Sequence, residues 1–130
     1  MDAALARELD ALVGSVLPQI VALRHDLHAH PQTSYEETYA SSRVQEALAS
    51  AGIPFQAGIA QTGVVDWILP TGSPRQGSGR AVLLRADMDA LPMQEETGLP
   101  YASTFPGFMH ACGHDGNTAM LVGAATVLAR

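Results

Sequence analysis

The stretch HACGHDG, residues 110–116, holds the single cysteine of the chain, Cys112, with His110 and His114 two residues to either side. Side chains two apart can converge, so Cys112 and His114 can bring a thiolate sulfur and an imidazole nitrogen to one point. That pair suits zinc and similar divalent ions. Gly113 and Gly116 allow the tight backbone that a bound ion needs. A helix beginning after the loop would present its positive end and favour the thiolate. Other readings stay open here. Cys112 can be a small buried hydrophobe, and His110 a satisfied loop histidine. Cys112 can also be a nucleophile with His114 as base and Asp115 as orienting group, although neighbouring residues rarely reach one another in that way.

Two further stretches carry candidate groups. In RADMDALP, residues 85–92, Asp87 and Asp89 follow an apolar run directly. Ligands of open α/β sheets bind at the carboxyl ends of strands, and residues two apart in extended chain can face one pocket. Solvated turn aspartates are the plainer alternative. In HDLHAHP, residues 25–31, three histidines lie within six residues. His25 and His28 fall at a helix end, where the dipole favours histidine without any metal. Arg24 and Asp26 read as a solvated or locally paired face.

These residues need elements to position them. Leu5, Leu9, Leu12, Val13, Val16, Leu17, Ile20, Leu23 and Leu27 recur at helical spacing, which predicts a helix over residues 3–29. Pro18 inside it predicts a kink or a split. Ser34 and Glu37 fit a capping box, placing a second helix start near Tyr35. Val44, Ala47, Leu48 and Ala51 form its apolar face, and Gly52 is its C-terminal cap. IPFQAGI and GVVDWIL predict a strand pair around AQTG. TGSPRQGSG, residues 71–79, reads as a loop. AVLLRA, residues 81–86, reads as a strand buried on both faces. Residues 94–110 are irregular, and a small-residue helix runs from Asn117. The order is helix, helix, strand, strand, strand, long loop, helix: an α/β pattern with the sheet only begun. Residues 1–130 are expected to be the first part of a larger domain.

The bulk numbers exclude several functions. The 130 residues carry 13 acidic and 7 basic side chains, a formal net charge of -6, and every basic residue is arginine. A chain without a basic cluster is poorly suited to nucleic acid or to an anionic membrane surface. The N-terminal stretch is acidic and interrupted by charges, unlike a signal peptide, and no run approaches a membrane span. One cysteine fits a reducing cytoplasm.

Taken in order, ALRHDLHAHPQTSYEE, LLRADMDALPMQEETGLPYAS and MHACGHDGNTAMLVGAA resemble the N-terminal part of a dinuclear metallopeptidase family. That family includes hippurate hydrolases, N-acyl-amino-acid amidohydrolases (aminoacylase-like) and indole-3-acetyl-amino-acid hydrolases. The resemblance runs from about Leu23 to the end. It implies the start of a zinc-peptidase-like catalytic domain holding two divalent metals, zinc or manganese first, cobalt or nickel next. It implies hydrolysis of the amide in small N-acyl-amino acids, and a separate lid and dimerisation domain absent from residues 1–130. The full-length form is expected to be a homodimer or higher oligomer.

The resemblance also assigns residues. Cys112 and His114 are implied metal ligands. Asp89 stands where an aspartate supports a metal-binding group. Asp87 stands where many relatives carry a ligand histidine, so it joins His110, Asp115 and Asn117 as supporting positions. The remaining ligands and the glutamate general base are expected outside these residues, leaving the stretch alone inactive. A non-catalytic remnant or interaction module with weak metal binding is the alternative. Asn117 replaces the second histidine of the usual CGHDGH and can cap a helix or donate a hydrogen bond, not act as acid or base. Gln32 replaces a common glutamate after HP. Both changes touch the surroundings of the ligands rather than the ligands.

Overall fold

A computed structural model of the chain describes residues 2–69 and 80–130. The first helix, α1, spans Ala3–Ala29, where the apolar spacing places it, and the Asp2 side chain accepts from the Ala4 N–H at 3.2 Å to cap it. It is neither split nor ended by Pro18, which sits on the exposed side. There the Gly14 carbonyl that loses its donor can turn to water.

The second helix, α2, spans Thr38–Ser50 and corrects the expected start. The capping box does not form. Tyr35 takes φ 68°, and the Ser34 hydroxyl donates instead to Asp89, 55 residues away. The cap comes from Gln32, whose Oε1 accepts from the Tyr39 N–H at 2.6 Å. At the other end the expectation holds. Gly52, at φ 70°, and Ile53 donate backward to Ala49 and Leu48, closing the helix in a Schellman arrangement.

Strands β1, Phe55–Ile59, and β2, Gly63–Asp66, form an antiparallel hairpin, with Phe55 opposite Asp66 and Ala57 opposite Val64. The third helix, α3, spans His114–Leu128, three residues earlier than the sequence predicts. Leu23 and Leu27 of α1, Val44 and Leu48 of α2, Ile53, and Ala119, Val122 and Ala125 of α3 make the core. α1 and α3 approach closely because Gly123 lacks a side chain. A Cβ there would stand 3.1 Å from Cγ1 of Ile20.

The expected strand at residues 81–86 is not formed. The segment pairs with no strand among the described residues, and Val82 and Leu83 are 88% and 87% exposed. An apolar run becomes a central strand only when ladders flank it, and the hairpin does not reach this one. The fold is therefore three helices around one core with a two-stranded antiparallel sheet. The loop expected over residues 71–79 lies outside the described residues. No helix among the described residues is long and apolar enough to cross a membrane.

Candidate metal centre

Residues 85–92 run extended between the α1–α2 connection and α3. Ala90 N–H donates to the Gln32 carbonyl at 2.8 Å, and the Thr118 hydroxyl donates to the Asp87 carbonyl at 2.9 Å. Leu91 and Met109 exchange backbone hydrogen bonds of 2.9 and 3.0 Å, which brings HACGHDG beside DMD. Gly113, at φ 81°, then turns the chain into α3. A left-handed residue is cheap only for glycine. His114 is thus the first residue of the helix, and the half-buried imidazole is set by that turn.

Two further contacts hold the His114 ring. Its Nδ1 lies 2.9 Å from Asp89 Oδ1 and 3.0 Å from the Asp89 carbonyl oxygen. Both partners are acceptors, so Nδ1 carries the proton and donates, and Nε2 is left with its lone pair. Asp89 is held in turn by the Ser34 hydroxyl, which donates to Oδ2 at 2.6 Å. The Ser34 hydrogen bond, against the upward push of burial and with help from His114, holds the Asp89 carboxyl below the usual carboxylate range. It is the acceptor a ligand histidine needs behind it.

Asp87 does not share this role. Its carboxylate pairs with Arg85 at 2.6 Å on the surface, and only its backbone carbonyl engages α3. Cys112 is exposed, which removes the buried-hydrophobe reading. The nucleophile arrangement with Asp115 behind His114 is not formed either, because Asp115 faces away from it. Asn117 is not a cap; its N–H donates to Gly113, which occupies that position. His110 is buried, its Nδ1 has no partner in the described structure, and burial pushes its imidazole below the ordinary histidine value.

Asp115 is held by partners that the sequence reading did not name. The carboxylate is 1% exposed, and Oδ2 accepts from His28 Nδ1 at 2.8 Å and from Arg24 Nε at 3.2 Å. His28 reaches Glu95 with its other nitrogen at 3.2 Å. Burial pushes the Glu95 carboxyl up, but hydrogen bonds from Thr97, the Ser103 N–H and His28 outweigh it and hold the carboxyl below its ordinary value. Arg24 is therefore a tertiary link rather than a solvated or locally paired residue. Asp26 is paired both ways: locally with His30 at 3.5 Å, and across the fold, accepting from the Tyr39 hydroxyl at 2.8 Å and from Arg43 at 2.6 Å. The signal for both lies in RHDLHAH. Arg24 and His28 are four apart on one helical face, Asp26 and His30 four apart on another.

The donors present fit a metal in kind: an exposed thiol and an imidazole with its distal nitrogen free. Among the described residues no group of three or more His, Cys, Asp or Glu side chains is placed to hold an ion. An open cleft of about 490 Å³ lies to one side, lined by residues such as His30, Tyr39, Phe105 and Phe108, and neither Cys112 nor His114 lines it.

A family model described as Peptidase family M20/M25/M40 matches residues 83–130. The N-acyl-L-amino acid amidohydrolase of Geobacillus stearothermophilus is 43% identical over 123 residues, 95% of this chain and 32% of that protein. The IAA-amino acid hydrolase ILR1-like 5 of Arabidopsis thaliana is 42% identical over 84% of this chain and 24% of its own length. Among solved structures, the Bacillus subtilis YXEP protein, a dinuclear metal-binding peptidase from the M20 family, superposes with a TM-score of 0.79. Identity to it is 36%, over 92% of this chain and 32% of that one. The chain spans about a third or less of the length of these relatives.

Proposed function

We propose, for a chain whose residues 83–130 match Peptidase family M20/M25/M40, that Cys112 and His114 are metal ligands of an amidohydrolase acting on N-acyl-amino acids. The observation that carries this reading is the pair of acceptors on His114 Nδ1, which fixes the proton there and leaves the Nε2 lone pair for a metal. Likeness to the dinuclear peptidase and to the amidohydrolases supports a centre of two divalent ions and a small acylated amino acid as substrate. Zinc or manganese suits the sulfur and nitrogen donors, with cobalt and nickel next. Such ions, when bound, polarise a carbonyl and make water a better acid.

The chain's own residues do the positioning. Asp89 keeps the His114 tautomer, Ser34 keeps Asp89 ionised and turned toward His114, and Gly113 sets the turn between the two ligands. The general base and the other ligands are proposed to lie outside residues 1–130, as is the surface for a homodimer. A reducing cytoplasm suits an exposed thiol kept for ligation.

The test is hydrolysis of a panel of N-acyl-amino acids by the whole protein as its gene encodes it, with metal counted in the same sample, before and after chelation. The expected result is activity that disappears with the metal, returns on adding zinc or manganese, and falls with Cys112→Ser. Activity that survives chelation would instead assign Cys112 as a nucleophile. Absence of both metal and hydrolysis would leave an interaction module.

A further inference from the structure

We infer that Asp115, clamped by Arg24 and His28, is a positioning residue that sets the first turn of α3 and with it the aim of His114 and Cys112. The inference rests on the metal-centre reading. Consecutive residues on a helix project about 100° apart. His114 and Asp115 therefore leave the same turn in different directions, and each is gripped by a different part of the molecule. His114 is held by Asp89 and Ser34, Asp115 by Arg24 and His28 of α1. One grip would let the turn rotate about the helix axis. Two grips at about 100° stop it.

Stability alone does not account for this arrangement. An aspartate in a first helical turn interacts well with the dipole while exposed to water. Here the carboxylate is 1% exposed with Oδ1 unpartnered, and His28 is 4% exposed between Asp115 and Glu95. Burying charges in this way costs desolvation that an apolar pair would avoid, and orientation is the return. The clamp is itself braced from a third segment. Glu95 accepts from the Ser103 N–H at 2.6 Å and from the Thr97 hydroxyl, and Arg24 reaches the Tyr101 hydroxyl at 3.5 Å. Helix α1 thus grips the buried carboxylate of α3, and residues 95–103 hold the two gripping side chains from behind.

The experiment is a cobalt titration of the whole protein as its gene encodes it, stripped of metal. Affinity is read by chelator competition, Cys112 ligation by the thiolate-to-cobalt charge-transfer band, and folding by urea denaturation of the same samples. Asp115→Asn and Arg24→Ala are expected to weaken cobalt binding about 10- to 100-fold and to dim the band, with Arg24→Lys recovering part of both. Leu48→Ala, a core change in α2, is the control: it lowers stability and leaves affinity unchanged. Equal affinity losses in Asp115→Asn and Leu48→Ala at matched stability would overturn the inference, leaving Asp115 a structural residue only. If Asp115→Asn fails to fold, the Arg24 pair decides, since that side chain is 40% exposed. A wild-type protein with no band, unchanged by Cys112→Ser, would remove the metal-centre reading and this inference with it.

Discussion

Asp89 joins two residues that the sequence separates widely, Ser34 and His114, and its loss tests the site most directly. Asp89→Ala removes the carboxylate that accepts from both and leaves His114 only the backbone carbonyl of residue 89. The expected outcome is a fall in zinc affinity of about tenfold or more by calorimetric titration, with the fold retained. Retention is expected because the backbone of residues 87–91 keeps its bonds to Gln32, Thr118 and Met109. Glu95 gives a pH prediction. Its carboxyl is depressed in the folded chain, so its contribution to stability is full above the unfolded glutamate value of about 4.3 and is lost as pH falls through the lower folded value. Denaturation of wild type and Glu95→Gln at stepped pH should show a stability gap near neutrality that narrows below about pH 4. A gap that widens on acidification would refute the assignment.

At the scale of elements, glycine placement gives sharper predictions than helix propensity. Gly113→Ala forces a side chain into the left-handed turn before His114 and should cost about 1–2 kcal/mol in thermal or urea unfolding. Gly123→Val overfills the α1–α3 contact at Ile20 and should cost about 1–3 kcal/mol. Shortening Ile20 to Ala in the same chain should recover part of that. Much of this scaffold was legible in the sequence because its signals are local. The spacing of the α1 apolar residues, Gly52 as a stop and the hairpin around AQTG each need only a few neighbours. The start of α2 was misread because Ser34 has a stronger partner in Asp89 than in its own helix, and Gln32 caps from outside. The start of α3 was missed because Gly113 caps through φ alone and offers no side-chain acceptor. In the site, Cys112 and His114 stood out through type and spacing. The Asp115 clamp did not, because its members lie 87 and 91 residues apart and a first-turn aspartate looks complete on its own.

At the scale of the molecule, residues 82–84 are an exposed apolar segment beside a small core. Such a segment invites pairing with another chain. Leu83→Asp should shift this 130-residue chain toward monomer in sedimentation while leaving its helical circular dichroism unchanged. The same map of distances sets an order of events as the protein is made. The corner formed by Asp26, Tyr39 and Arg43 closes over 13 and 17 residues, so it can form once α2 has emerged. The grip on His114 and Asp115 closes over 25 residues from Asp89 but over 87 and 91 from α1, with the loop-closure cost falling last. Arg24 and His28 must therefore wait, with their helix already built, until residues 110–116 leave the ribosome. On the proposed reading, a metal ion that arrives earlier meets neither Cys112 nor His114.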